Sequence, residues 1–254
     1  MSAVDGARRL YNFPLGVLGI SLATVAFPLF SRHAANKDYG ALGQSVGGAF
    51  RLALFEAIPS GVALMVLSEL IVKVAFERGN FTAADTERTA HVLRCYSLGL
   101  WAYCTHHIVL RAFYSLQDTI TPLRVMGKTL LLALVLDMSL LWLPAVREGA
   151  FGLSTSIMAS LNVAILGWML SRRVGSIEGR RILATAGQTA GASAAMGAAA
   201  WAACRYLPIH NKYLLFMACV GVGAGVFFGA CRLLGIAEAR ELLSLARSRR
   251  GRKS

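Results

Sequence analysis

Three stretches of this chain, Gly149–Ser171, Ile182–Cys204 and Tyr213–Cys231, contain no Asp, Glu, Lys or Arg. Each is about long enough to cross a bilayer as a helix, because roughly 20 apolar residues span the hydrocarbon core. Four further candidates precede them: Tyr11–Ser31, Leu52–Val72, Cys95–Leu110 and Thr129–Val146. Backbone amides in lipid must be satisfied within the chain, so seven such segments predict an all-α fold. The expected architecture is a polytopic membrane helix bundle of about seven transmembrane helices. That excludes a soluble enzyme and directs attention to the few polar groups placed in the membrane.

The 254 residues are 56% hydrophobic and 15% charged, against about 25% charged in an ordinary soluble domain. A net charge of +13 raises nucleic acid as a partner. The basic residues, however, sit in short loops and at the C-terminus rather than on an aromatic-interleaved surface, so nucleic acid is not expected. Cys95, Cys104, Cys204, Cys219 and Cys231 fall in or beside apolar spans, with neither CxxC spacing nor a Cys/His ligand pattern. They read as small apolar packing residues.

The basic residues are distributed unevenly between the two faces. Seven spans place the loops around Arg32–Arg51, Arg111–Lys128 and Arg172–Arg181 on one face, together with the tail from Arg232 to Lys253. That face holds most of the 26 Lys and Arg residues, and the positive-inside rule makes it cytoplasmic. The C-terminus is then inside and the N-terminus outside. Yet MSAVDGARRL offers no apolar signal segment, and Arg8 and Arg9 would ordinarily hold this end in the cytoplasm. The expectation is that a further helix precedes the first span and that the chain is truncated.

Pro14, Pro28 and Pro59 interrupt helical stretches and remove backbone hydrogen bonds. Bent helices line cavities in transporters, although proline is also common in membrane helices generally. Small residues recur every four positions in the last two spans, at Gly187, Gly191 and Ala195 and at Gly221, Gly225 and Gly229. These ridges predict close packing of the two helices against each other or against a partner. Ionisable groups in hydrocarbon are costly and mark cavities or partners. Asp137 is the deepest, with cation coupling, proton coupling or substrate contact as its expected roles. Glu56, a turn or so inside the second span, and His106 and His107, closing the third, have interfacial solvation as the rival reading. Arg124 and Lys128 read as snorkelling anchors.

No GxSxG elbow, phosphate-cradling loop or HExxH is present, so catalysis is not expected. Thr82-Ala83-Ala84-Asp85 reads as a capping box that starts the third span. Gln117-Asp118-Thr119-Ile120-Thr121-Pro122 reads as a turn whose proline starts the fourth helix.

Four motifs in order carry a family resemblance. Arg9-Leu10-Tyr11-Asn12-Phe13-Pro14-Leu15-Gly16 leads into a span that ends Phe27-Pro28-Leu29-Phe30-Ser31-Arg32. Phe76-Glu77-Arg78-Gly79-Asn80-Phe81-Thr82 follows, and then Arg111-Ala112-Phe113-Tyr114-Ser115-Leu116-Gln117-Asp118-Thr119-Ile120-Thr121-Pro122. This set resembles the MurJ (MviN) family of bacterial lipid II flippases, within the multidrug/oligosaccharidyl-lipid/polysaccharide exporter superfamily. The likeness covers nearly the whole chain and weakens in the last two spans and the tail.

The resemblance implies fourteen helices, built as two six-helix lobes plus two C-terminal helices, of which this chain matches helices eight to fourteen. Residues 1–175 would be five helices of the second lobe, 182–235 the two extra helices, and 236–254 a basic cytoplasmic tail. It implies an alternating-access flippase for lipid-linked peptidoglycan precursor in the bacterial cytoplasmic membrane, with lipid II and membrane lipids as partners. Cavity arginines of the family engage the lipid's pyrophosphate, for which a guanidinium fork is suited. Arg9 occupies such a position; relatives often carry Asp just before it, where this chain has Arg8. Asp137 falls where relatives carry Asn or Asp, and with the Thr155 hydroxyl it resembles part of a sodium site. Coupling through a sodium ion or the membrane potential, with no other cofactor or metal, is what the family implies.

Two readings compete. One is the second half of a flippase, working with a separately encoded N-terminal half or as a dimer. The other is a split-gene half-transporter, inactive alone or serving as a membrane scaffold.

Overall fold

A computed structural model describes residues 3–77, 81–141, 149–236 and 238–239. Helix dominates, and no strand occurs among the described residues. The first pass runs from α1 (Ala3–Pro14) through a π-helical turn (Leu15–Ile20) into α2 (Ser21–Ala35). The second comprises α3 (Tyr39–Val66) and α4 (Ser68–Phe76), and the third α5 (Ala83–Ser97) and α6 (Leu100–Ser115). Then follow α7 (Ile120–Leu141), α8 (Ala150–Val174), α9 (Gly179–Tyr206) and α10 (Lys212–Leu234). Among the described residues these make seven helical passes. Four of them, Ala3–Ala35, Tyr39–Val66, Ala150–Val174 and Lys212–Leu234, are individually long and apolar enough to cross a membrane. The basic tail falls almost entirely outside the described residues.

The helix starts are written in the loops. Asp38 caps α3, its carboxylate accepting from the Ala41 amide at 2.9 Å. Thr82 and Asp85 form the expected capping box: the Thr82 amide donates to Asp85 Oδ2 at 3.0 Å, and the Asp85 amide to Thr82 Oγ1 at 3.3 Å. Asp118 accepts from the Thr121 amide at 2.9 Å and from Thr121 Oγ1 at 2.6 Å, opening α7 with Pro122 in its first turn. Proline belongs there, where its missing amide costs nothing.

The breaks inside passes have local causes. Pro14 withholds an amide from the turn behind it, and the chain widens into the π turn that follows. Ser21 and Thr24 hydroxyls donate to the Val17 and Ile20 carbonyls, the latter at 2.8 Å, and so repair acceptors of that turn. At Gly99, a Cβ would lie 2.7 Å from the Ser156 Cα, so only glycine lets α8 approach the α5–α6 junction. The third span is therefore a broken pair reaching Ser115. His106 and His107 sit well inside α6 rather than closing it, and His106 is buried. Glu56 likewise lies near the middle of α3, not a turn from its end, because α3 begins as early as Tyr39.

Helix association in lipid gains little from burying apolar surface, since lipid tails are equally apolar; close packing decides. The principal core accordingly alternates large side chains such as Phe30, Leu100, Phe113 and Leu166 with fully buried Ala7, Ala53, Ala102 and Ala112. Helices α9 and α10 pack on each other and on α3, but not through the anticipated glycine ridges. A Cβ at Gly187, Gly191, Gly221, Gly225 or Gly229 would meet nothing within 4 Å. The contacting face is one step round the helix: Ala192, Met196 and Ala200 meet Cys219, Gly223 and Phe227. Large side chains opposite small ones fill this seam better than glycine against glycine. The five cysteines are free, four of them buried, as packing residues should be.

Candidate functional site

Arg9 lies on the exposed side of α1, one and a half turns before the π turn. Neither Arg8 nor Arg9 forms a hydrogen bond or ion pair with a described residue, so no carboxylate neutralises them there. Consecutive helical residues point about 100° apart, and the two guanidinium groups leave α1 in different directions.

Three tyrosines meet beneath them. The Tyr11 ring lies 5.5 Å from Tyr96 of α5 and 5.9 Å, edge-on, from Tyr103 of α6. Tyr11 is only 4% exposed, yet its hydroxyl has no hydrogen-bond partner. The charge of Arg8 reaches the phenols of both Tyr96 and Tyr103, and the charge of Asp137 also reaches Tyr96.

The register of α7 against α8 is fixed by a polar pair, Thr129 Oγ1 and Asn162 Oδ1, at 3.1 Å. Stepping two turns toward the other end of these antiparallel helices brings Asp137 level with Thr155. Asp137 Oδ1 is buried and unpaired. The Thr155 hydroxyl donates to the Phe151 carbonyl of its own helix, which leaves its lone pairs free. Carboxylate and hydroxyl oxygens are donors that hard cations accept. Among the described residues no cluster of three or more His, Cys, Asp and Glu that could hold a metal ion occurs.

A second polar assembly, which sequence reasoning missed, lies at the basic end of the bundle. Arg51 of α3 binds Glu178 at 2.6 Å and Glu238 at 3.2 Å; Arg181 binds Glu178 at 2.7 Å, and Thr185 donates to Glu238 at 3.2 Å. The loop 175–178 sits tightly on α3, because a Cβ at Gly43 or Gly47 would lie 2.7 Å from the Ser176 or Ile177 carbonyl. Beside the network opens a cavity of about 600 Å³, walled by Leu29, Phe30 and Leu52 and edged by Arg51, Arg181 and Glu238. Arg51 and its partners are separated by 127 and 187 residues, and no local spacing could have joined them. Also at the basic end, Arg111 lies over Phe27 at 5.4 Å, Arg172 over Trp168 at 4.1 Å, and Arg173 over Phe113 at 5.6 Å. Such stacking suits cationic side chains at a membrane interface.

Comparison with known proteins identifies the family. The family described as "Lipid II flippase MurJ" matches residues 1–220. A probable lipid II flippase MurJ of Vibrio cholerae is 35% identical over 160 residues, which is 62% of this chain and 30% of that protein. The corresponding protein of Haemophilus influenzae is 28% identical over 213 residues, covering 81% of this chain and 40% of its own. Among solved structures, a lipid II flippase MurJ in an inward closed conformation superposes with a TM-score of 0.75 at 24% identity, over 95% of this chain and 47% of that one. The chain therefore spans 30% to 47% of the length of these three relatives. With a family match across most of its residues and a shared helical membrane fold, the chain belongs to the MurJ family of lipid II flippases, a family of transporters rather than enzymes.

Proposed function

We propose that this chain forms one wall of an alternating-access flippase for lipid II, and that Arg9 engages the pyrophosphate of the lipid. The observation that carries this reading is an exposed Arg9 guanidinium on α1, one and a half turns before the π turn and unpaired among the described residues, within the span that the family matches. A guanidinium held without a carboxylate partner is available to a phosphate, which it can bind through two parallel hydrogen bonds. The remaining length of the relatives would supply the facing wall of the cavity, on this polypeptide or on a separate N-terminal half.

Charge distribution supports a bacterial cytoplasmic membrane location with the basic end inside, so that α10 ends in the cytoplasm. Stacked Arg111, Arg172 and Arg173 then anchor that end at the inner interface. Asp137, with Thr155, is the coupling group in this reading: its unpaired oxygen takes a sodium ion, and driving force enters the transport cycle there.

The test is replacement of the native flippase by this chain, alone and co-expressed with the complementary first half, in a bacterium depleted of its own. Growth in the second case, its loss in Arg9→Ala and its partial return in Arg9→Lys are the expected results. Full growth with Arg9→Ala would remove Arg9 from the phosphate site. The rival reading, a half-transporter inactive alone, is favoured by the 30% to 40% of the curated relatives' length that the chain covers. It prevails if neither arrangement supports growth.

A further inference from the structure

We propose that Cys204 and Cys219 form a redox site, a pair of facing thiols on α9 and α10 that closes to a disulfide by exchange with a disulfide-bearing oxidant of the outer compartment. The proposal rests on the reading that the basic end faces the cytoplasm, which puts the turn between α9 and α10 outside. It adds a covalent modification that the transport reading does not contain.

Helices α9 and α10 form an antiparallel hairpin whose contacts keep one register. Ala192, Met196, Phe227 and Cys231 share one apolar cluster. A Cβ at Gly223 would lie 3.5 Å from the Met196 Cγ and 3.6 Å from the Ala200 Cβ. Each step of four residues along α9 is thus matched by a step of four back along α10: Ala192 with Cys231, Met196 with Phe227, Ala200 with Gly223. The next step pairs Cys204 with Cys219. Both belong to the following apolar cluster, and their thiols are hydrogen-bonded to each other. A disulfide needs Cβ atoms about 3.5–4.5 Å apart. The 3.6 Å approach at Ala200 and Gly223, one turn away, shows that the two backbones run at that separation. In the same register Cys231 faces Ala192, and Cys95 and Cys104 lie on other helices, so this pair stands apart from the other three thiols.

Position assigns the two roles. Cys204 is half-buried and close to the end of α9 at Tyr206, so it meets the oxidant; Cys219 is fully buried and acts second. The Cys204 thiolate attacks one sulfur of the external disulfide, forming a mixed disulfide and releasing a thiolate that takes up the proton Cys204 lost. Cys219 then gives up its proton and attacks the Cys204 sulfur, expelling the second thiolate, which takes that proton. Two cysteines are oxidised and one external disulfide is reduced to two thiols. Disulfide oxidants persist outside the bacterial cytoplasmic membrane, whereas the cytosol keeps thiols reduced. The bond has a mechanical consequence. Ala200, Cys219 and Gly223 line an apolar cavity of about 210 Å³ between α3, α9 and α10. Toward the outer end Leu215 and Phe216 of α10 pack with Leu67 and Leu70. Oxidation fixes the width of the cavity there, and reduction frees α10 to part from α9.

The experiment treats the full chain in lipid nanodiscs with oxidised glutathione, unfolds it, labels free thiols with a maleimide and reads the intact mass. The parent should fall from five labels to three with no glutathione retained, and dithiothreitol should restore all five. Cys219→Ala should carry three labels and one glutathione, because nothing resolves the mixed disulfide at Cys204. Cys204→Ala should keep four labels and take up no glutathione. Oxidation should raise the thermal unfolding midpoint of the parent by about 5 °C and leave that of Cys204→Ala unmoved. Five labels on the oxidised parent, or an equal loss of labels in Cys204→Ala, overturn the proposal. The count on the parent decides even where a variant fails to fold. The same count on chain taken from acid-quenched bacterial cells tests the orientation. Three labels there support both readings. Five there, with three in nanodiscs, put the α9–α10 turn on the reducing side and overturn the orientation, and the modification in the cell with it.

Discussion

Gly99→Ala tests whether the third pass is broken for the sake of close packing. A Cβ at this position would sit 2.5 Å from Ser156 Oγ and 2.7 Å from both its Cα and Cβ. Two of those atoms cannot rotate away, so α8 must retreat from the α5–α6 junction by a substantial part of an ångström. Overpacking of this kind costs about 1–3 kcal/mol. Retreat also breaks the bond from the Ser156 hydroxyl to the Cys95 carbonyl, 3.0 Å long and buried, which adds about 1 kcal/mol. A total of about 2–4 kcal/mol corresponds to a fall of roughly 5–15 °C in the unfolding midpoint of a chain of this size. The control is Gly191→Ala, in the interior of α9, where a Cβ meets nothing within 4 Å. There alanine gains about 1 kcal/mol in helix propensity, and the midpoint should hold or rise. Unfolding in detergent, followed by intrinsic fluorescence, reads both. Equal midpoints for the two variants would refute the idea that Gly99 is required by the approach of α8.

Two further outcomes follow from the ion pairs. Hydrogen bonds from the Thr121 hydroxyl and amide, joined by Arg173, hold the Asp118 carboxyl down at about 2, against about 3.9 in an unfolded chain. A carboxylate depressed in this way stabilises fully above pH 4 and loses its contribution as pH falls toward 2. Asp118→Asn should therefore unfold earlier than the parent at pH 7 and converge on it near pH 2; a gap that stays constant with pH would exclude Asp118 as its source. Arg51→Met should cost about 1–3 kcal/mol, because Glu178 and Glu238 lose charged partners while remaining partly buried. Hydrogen exchange in the loop 175–178 should rise with it, and unchanged protection there would show that Gly43 and Gly47 contacts alone hold the loop.

Much of the architecture was legible because lipid imposes severe rules. Seven passes, the Thr82–Asp85 capping box and the start of α7 at Asp118–Pro122 all follow from local chemistry, and all are present. The breaks were harder. Proline announces itself, but Pro28 and Pro59 lie inside helices that continue, whereas a junction forms at Gly99 without any proline. What decides is whether another helix needs the space, a tertiary fact. The same reason displaced the seam between α9 and α10 from glycine ridges to Met196 and Phe227, since four-residue spacing defines a stripe without saying which stripe faces inward. Of the candidate site, Asp137 was visible as a costly charge in an apolar span, and Arg9 only through the motif that carries the family resemblance. The tyrosine cluster was not, because Tyr11, Tyr96 and Tyr103 are unexceptional residues until α1, α5 and α6 converge.

The breaks also have a collective meaning. Each of the first three passes is divided, giving α1, α4 and α5 toward one end and α2, α3 and α6 toward the basic end. Helix α5 lies against α1 and α4 and also against α3, while α2, α3 and α6 pack mutually. The last turns before the junctions are close-fitted, with Gly61 of α3 against the Ser97 carbonyl and Gly19 of the π turn against the Cys104 backbone. Helix α8, by contrast, is unbroken and touches both α5 and α6, bracing the two layers like a splint. An interior packed this tightly rearranges by small rigid shifts between layers rather than by continuous bending. Buried polar atoms without a hydrogen-bond partner fall on both sides of that division: Tyr11 on α1 and Thr89 on α5, His106 on α6, Asp137 on α7, and Thr189 and Ser193 on α9. At the basic end the ion pairs of Arg51 tie α3 to the loop 175–178 and to Glu238.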